Sequence, residues 1–377
     1  MNPSFHIIDF VIVGIYAILL VGVGLWVSRT KKGHTKTAED YFLASKALPW
    51  WAIGSSLIAA NISAEQFIGM SGSGFAGGLA IASYEFMAAL TLIIVGKFFL
   101  PIFIKQGIYT IPEFVEKRFS TNLKTILAVF WIALFVFVNL TSVLFLGGKA
   151  IDTIVGVGDG SMIVPAIIAL AIFAAAYSLY GGLSAVAWTD VIQVALLVIG
   201  GIITTLIALH YVTPDGGILN GISHIADAAS DKFDMVLSRD NKEFNNLPGI
   251  YVLIGGLWVA NLYYWGFNQY IIQRTLAQRG IAFAAFLKML IPFIVVIPGI
   301  VAWVMYSEDL YGARSAFEIA GSTALNNDNA YPWLISTFIP VGVKGLVLAA
   351  LAAAIVSSLA SMLNSTSTIF TMDIYKP

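Results

Sequence analysis

The sequence contains no cysteine. Disulfides, thiolate nucleophiles and cysteine-based metal sites are therefore excluded, and cysteine usage says nothing about the redox compartment. Histidine is nearly as scarce. Its four copies are scattered, so no histidine zinc site is visible. Charge is the third shortage. Only 11% of residues are charged, against about 25% in an ordinary soluble domain. The net charge of −1 offers nothing to nucleic acid.

What is abundant is apolar: 59% of the chain. Runs of about 20 apolar residues, enough to cross a bilayer as a helix, recur along it. The first, Ile7–Val27, has no Lys or Arg before it. It is also longer than the core of about 7–15 residues found in a cleaved signal peptide, so it reads as a retained span. Eight more follow, at 48–70, 79–104, 123–148, 162–180, 191–212, 250–272, 281–306 and 333–370. The last is long enough to hold an interfacial lead-in ending near Gly345. Residues 111–119 (IPEFVEKRF) are too short and too charged to span and read as an amphipathic surface helix. Residues 184–190 read as a short connector. The polar stretches 213–247 and 308–329 are loops with room for small surface helices. The expected fold is an all-α polytopic membrane protein forming one transmembrane domain, 1–377.

Lys and Arg collect in the segments on one side of these spans. Basic residues mark the cytoplasmic side, which puts the N-terminus outside and Pro377 inside. The second and seventh spans then run in opposite directions, and both carry polar residues that a lipid-facing helix would not. Such a pair points to an inverted repeat with broken helices and a site at mid-membrane. On this reading 7–27 is an extra N-terminal helix, 48–212 a five-helix repeat, and 250–377 the first three helices of its inverted copy.

The polar residues fall in four places. In the second span Asn61, Glu65 and Gln66 lie within six residues, although one ionised group at the bilayer centre costs about 2.5–3.5 kcal/mol. The SGSG that follows, at 71–74, is suited to break the helix and free backbone carbonyls. Glu65 alone has a blander reading, as a residue near a helix end that reaches water. Glu85, about one and a half turns into the third span, and Lys288, well away from either end of the eighth, are opposite charges inside the membrane. They are expected to pair, either as a purely structural ion pair or as a pair that also binds one polar ligand. The seventh span interleaves Trp258, Tyr263, Tyr264 and Trp265 with Asn261, Asn268 and Gln269. Flat rings for sugar C–H faces and amides for hydroxyls suit a hexose, and equally other small polar solutes. In the ninth span Ser357 and Ser358 sit among alanines. Their hydroxyls suit an oxygen cage for a hard cation, or the small residues simply let helices pack closely.

At these positions the sequence is similar to the bacterial sodium/galactose symporters of the sodium:solute symporter family. The likeness is carried by EDYFLASKALPWWAIGSSLIAANISAEQFIGMSGSG (39–74), GIYTIPEFVEKRF (107–119), YGGLSAVAWTDVIQ (180–193), GGLWVANLYYWGFNQYIIQRTLA (255–277) and AAIVSSLASMLNST (353–366), so it covers essentially the whole chain. It implies two five-helix inverted repeats. It implies sugar contacts at Asn61, Gln66, Glu85, Asn261 and Lys288, with Tyr264 stacking on the sugar as inner gate, Met70 closing from outside, and Tyr84 and Trp265 nearby. It implies Na+ held by the carbonyls of Ala59, Ile62 and Ala354 and the hydroxyls of Ser357 and Ser358. Three departures stand out. Ala88 replaces a family serine, which removes one sugar hydrogen bond. The linker 277–280 is several residues shorter than in those relatives. The chain stops at Pro377, where the family continues through the rest of the second repeat and a further sugar-contacting Gln, so a fragment is expected.

The resulting expectation is sodium-coupled transport of a hexose, galactose or glucose, across a bacterial cytoplasmic membrane by alternating access, with no covalent chemistry. The alternatives are a symporter for another small polar solute and a membrane-embedded hydrolase. The latter lacks any span with two His, and no His lies near Ser357-Ser358 in sequence.

Overall fold

Twenty-one residues, apolar but for Asp9, make the first helix, α1 (Ile7–Val27), with the bounds expected from the sequence. The computed structural model describes residues 6–29, 41, 48–63, 65–155, 160–213, 215–275, 280–319 and 321–375. Among these no strand forms, only one isolated bridge between Glu318 and Leu325.

The second span is in three pieces. Helix α2 (Trp50–Asn61) ends where Ile62 turns extended (ψ 113°). A π-helical stretch, Glu65–Met70, then runs into α3 (Ser71–Gly77). The expected break at 71–74 is therefore wrong: SGSG is helical, and the break lies at Ile62-Ser63. The local chemistry explains the position. Ser63 Oγ accepts the Glu65 N–H at 3.1 Å, while the Gln66 side chain accepts the Ser63 N–H at 3.0 Å. This reciprocal Ser-x-x-Gln capping box starts a new helix there.

The third span is α4 (Ser83–Ile94), a π-helical turn and α5 (Leu100–Gln106). The surface helix is α6 (Ile111–Arg118). The fourth span is α7 (Thr121–Ala133) and α8 (Leu140–Val155), with Leu134–Asn139 between them. The fifth and sixth spans form one helical run, α9 (Ile163–Tyr211), turned at Gly182. This overturns the connector expected at 184–190, which is helical, with Ala185, Val186, Ala187, Thr189 and Asp190 all buried. One residue does the connecting. Gly182 has φ 58° and ψ −157°, a region open only to glycine, and a Cβ there would lie 2.5 Å from the Tyr41 carbonyl oxygen.

The loop 213–247 holds α10 (Ile218–Ala228). The seventh span consists of α11 (Ile250–Ile254), α12 (Gly256–Phe267) and α13 (Gln269–Thr275). It breaks at Asn268, where ψ is 126°. The eighth span is α14 (Ile281–Ile291) and α15 (Ile297–Ser307). After α16 (Ala313–Phe317), the ninth region separates into α17 (Ala330–Phe338) and α18 (Val343–Ile369). The expected lead-in before Gly345 is thus a helix of its own. Among the described residues, six helices are long and apolar enough to cross a membrane, or up to seven if a pair bent by 73° at Gly255 counts as one. The nine expected spans exceed that number because the second and seventh are broken and part of the fifth is short. Of the linker 277–280, only Gly280 lies within the described residues.

Two helices of the bundle stand far apart in burial. In the most apolar window of α18, 83% of residues are buried, against 17% in α1. Helix α18 is the central mast, and its Ala and Ser residues let neighbours approach closely. Helix α1 faces lipid except along Asp9, Tyr16, Leu20 and Gly24. Asp9 Oδ1 accepts the N–H groups of Gly342 (2.7 Å) and Gly345 (2.8 Å), so α1 supplies the cap for the start of α18. Helices α2 and α14 cross tightly at Gly280, where a Cβ would stand 2.4 Å from the Trp50 carbonyl oxygen.

Candidate functional site

The break after Asn61 strips the end of α2 of helical partners, as at any helix C-terminus. The Ile62 N–H still reaches the Ile58 carbonyl, and the Ser63 N–H goes to Gln66. The Ala60 and Ile62 carbonyls instead accept Ser358 Oγ from α18, at 3.0 and 3.3 Å. Ala59 and Ala354, the other expected carbonyl ligands, are buried in the same core. Ser357 turns elsewhere and donates to Asp190 Oδ1 at 2.5 Å. All these groups are oxygens, the donor set a hard cation wants. The described residues hold no cluster of three or more His, Asp or Glu suited to a metal.

Beside this corner lies a cavity of about 100 Å3 lined by Asn61, Ser63, Gln66, Tyr264, Tyr270, Asn139 and Ser358, among others. Asn61 Nδ2 donates to the Tyr264 hydroxyl at 2.9 Å, and that hydroxyl lies 2.5 Å from the Tyr270 hydroxyl. Asn61 Oδ1 is buried without a hydrogen-bond partner, an acceptor suited to a ligand hydroxyl. The capping box occupies Gln66 Oε1 with both the N–H and the hydroxyl of Ser63, so Nε2 is its free donor. Glu65 is exposed and accepts from Ser142 Oγ at 2.8 Å.

The remaining expected contacts form a second group. Lys288 on α14 and Glu85 on α4 make an ion pair, both nearly fully buried. The Lys288 ammonium also lies 5.3 Å above the Trp265 ring, a favourable cation–π geometry. Trp265 Nε1 donates to Asn261 Oδ1 at 3.2 Å, and Asn261 Nδ2 donates to the Leu257 carbonyl at 3.0 Å. Asn261 is thus held within its own helix. Tyr264, whose ring meets Trp265 edge-on with centroids 5.0 Å apart, is the hinge between the two groups. Met70 packs between the two largest apolar clusters. Tyr84 is 39% exposed and has no place in either group.

Sequence reasoning missed a third set. Arg274, 1% exposed, is buried with Asp190, Ser56 and Ser361, and Asn139 and Tyr270 line the cavity. Arg274 stood just past the end of an apolar run and read as a loop residue, and Asp190 fell in the supposed connector. A charged residue inside a helical apolar stretch is the signal that finds both.

The profile of the sodium:solute symporter family matches residues 41–377. The chain belongs to that family. It is 65% identical to the sodium/glucose cotransporter of Vibrio parahaemolyticus over 98% of this chain and 69% of that protein. It is 33% identical to the sodium/myo-inositol cotransporter of Homo sapiens over 98% of this chain and 54% of that one. With sodium/glucose cotransporter 2 of Rattus norvegicus the figures are 32%, 99% and 58%. The chain therefore spans little more than half the length of these mammalian relatives. A sodium-coupled sialic acid symporter, solved in a substrate-bound outward-open state, superposes with a TM-score of 0.82 at 27% identity, over 99% of this chain and 75% of that one. The fold is that of a helical sodium symporter, and the family is one of transporters. The membrane-hydrolase alternative falls with it.

Proposed function

We propose that this chain carries the sodium and sugar sites of a sodium-coupled hexose symporter. The observation that carries this reading is the junction of the α2 break with α18. Carbonyls freed at Ala60 and Ile62 meet Ser358, while Asn61, the last residue of α2, bonds Tyr264 on α12. A cation held by Ala59, Ile62, Ala354, Ser357 and Ser358 would fix the broken end that positions Asn61, and so ready the sugar site. Sugar would then bridge Asn61, Gln66, Glu85, Asn261 and Lys288 under the Tyr264 ring. The bundle rocks around it as the spans 48–212 move against the inverted set 250–377. In this reading the N-terminus is outside, Pro377 is inside, and the membrane is the bacterial cytoplasmic membrane. Galactose and glucose are the first candidates, and the likeness to the Vibrio sodium/glucose cotransporter supports them. A second reading, another polyol, is favoured by Ala88. It is buried one turn after Glu85 and offers no hydroxyl where the galactose symporters have one.

The test is binding of radiolabelled galactose, glucose and myo-inositol to the purified chain in sodium and in potassium. Hexose binding that requires sodium supports the reading. Equal binding in both salts removes sodium coupling, and tighter binding of myo-inositol removes the hexose assignment.

A further inference from the structure

Arg274 carries a role that the expected ligand set does not include. Its guanidinium is enclosed, and its donors are spent on four elements. Nε donates to Ser56 Oγ on α2 at 2.7 Å, and Nη1 to the Tyr270 carbonyl on its own α13 at 2.8 Å. Nη2 donates to Ser361 Oγ on α18 at 2.5 Å and to Asp190 Oδ2 on α9 at 3.3 Å. Asp190 is in turn held by Ser56 on Oδ2 and by Ser357 on Oδ1, both at 2.5 Å. Ser361 closes the circuit by donating to the Ser357 carbonyl at 2.6 Å.

Two consequences follow from elementary electrostatics. A fixed positive charge stands one carboxylate away from Ser357, a proposed sodium ligand. With Arg274 in place, the charge of Asp190 is balanced and adds little to the pull on a cation at Ser357 and Ser358. With Arg274 withdrawn, the same carboxylate would face the cage unbalanced, in a water-poor interior where a unit charge acts strongly. Helix α13, which carries Arg274, is separated from α12 by the extended backbone at Asn268, so its position is set independently of the aromatic half of the span.

We propose that Arg274 is a positioning residue of sodium coupling: a built-in cation that offsets Asp190 and thereby sets how tightly the cage at Ser357 and Ser358 holds sodium. This rests on the sodium reading above. In the arrangement seen here, Arg274 loosens the hold on the ion. Movement of α13 away from α9 tightens it, so the inner half of the seventh span and sodium affinity are linked through one guanidinium.

The experiment measures half-saturation by radioactive sodium on the purified chain. Arg274→Gln is expected to bind sodium about five- to twentyfold more tightly than the parent, because Asp190 is left unbalanced. Arg274→Lys, which restores the charge, should return the value to within about threefold. The double variant Asp190→Asn with Arg274→Gln removes both charges and should abolish the tightening. A purely structural clasp predicts the reverse sign, with Arg274→Gln binding sodium more weakly. That outcome overturns the proposal, as does tightening that persists in the double variant. If Arg274→Gln does not fold, the Lys variant decides the matter: binding more than threefold tighter or weaker than the parent overturns it. A parent that binds no sodium overturns the sodium reading itself, and this inference with it, so the two failures are told apart.

Discussion

The two halves of the seventh span are built on opposite plans. In α12 only the Tyr264 hydroxyl reaches other elements, and its amide and indole satisfy one another locally. Asn261 bonds the Leu257 carbonyl and the Trp265 indole, all on the same helix. In α13 the polar side chains are buried and reach away from it. Gln269 bonds the backbone of Tyr109 and Ile111, Gln273 bonds Thr368 and Ser365, and Arg274 reaches α2, α9 and α18. A helix with internal satisfaction can present its faces to a ligand without unfastening anything. A helix pinned on every side can report its position to its neighbours. The contrast fits the proposed division, with sugar contacts on α12 and the proposed coupling residue on α13.

The sharpest way to break that contrast is at Lys288, whose ammonium lies over the α12 indole. Removing one partner of a buried ion pair costs about 3–5 kcal/mol. Lys288→Ala should lower the thermal midpoint for that reason and, because it also removes one proposed sugar contact and leaves Glu85 unpaired beside the ligand, weaken sugar binding by roughly 100-fold or more, measured by equilibrium binding. Normal binding in this variant would make the pair structural only. Next comes Tyr264. The alanine variant loses the stacking ring and should lose binding by a further-reaching margin than the phenylalanine variant. The latter forfeits hydroxyl bonds worth about 0.5–1.5 kcal/mol each, or roughly two- to tenfold in affinity. The opposite order would show that the hydroxyl link to Asn61, not the ring, does the work.

On the other half, Gln269→Leu leaves the Tyr109 carbonyl and the Ile111 N–H without their side-chain partner. Each unsatisfied group costs about 1–3 kcal/mol. The expected result is a thermal midpoint lower by several degrees, with sugar affinity changed by less than threefold. A loss of sugar binding as steep as that of Lys288→Ala would mean that both halves do the same work. The smallest effect concerns α6, the helix that follows the Gln269 contacts. The Lys124 ammonium, 2.8 Å from Glu116, holds that carboxyl below the usual carboxylate range. A carboxylate with a lowered folded pKa stabilises above its ordinary value of about 4.3. It loses that contribution as pH falls through the lowered one. Glu116→Gln should thus flatten, slightly, the fall of the thermal midpoint on acidification below about pH 4. A slope identical to the parent's would show that the pair contributes nothing.

The long apolar windows were legible because lipid imposes a composition that no loop shares. The pair of Glu85 and Lys288 was legible despite a separation of 203 positions, because each stood inside a span with no other partner in view. Arg274 and Asp190 are separated by only 84 and escaped, because charges at the edge of an apolar run look solvated. The α2 break was misplaced for a different reason. Glycines drew attention to 71–74, whereas the decisive signal was Ser63 with Gln66 three residues on. Helix breaks inside a membrane need substitute hydrogen bonds more than they need flexible backbone. The connector at 184–190 failed on the same ground: polar Thr189 and Asp190 suggested water, but their partners are protein.

The carboxylate of Asp9 has a consequence in time as well as in space. Its acceptor bonds go to Gly342 and Gly345, the latter 336 positions later. At roughly 5–20 residues per second, a ribosome delivers α1 to the bilayer about half a minute before the backbone that will satisfy it. Through that interval Asp9 Oδ2 already accepts the local His6 N–H at 3.1 Å, while Oδ1 waits for the backbone of α18. The order of synthesis therefore leaves the edge helix without this part of its fastening until the central mast arrives.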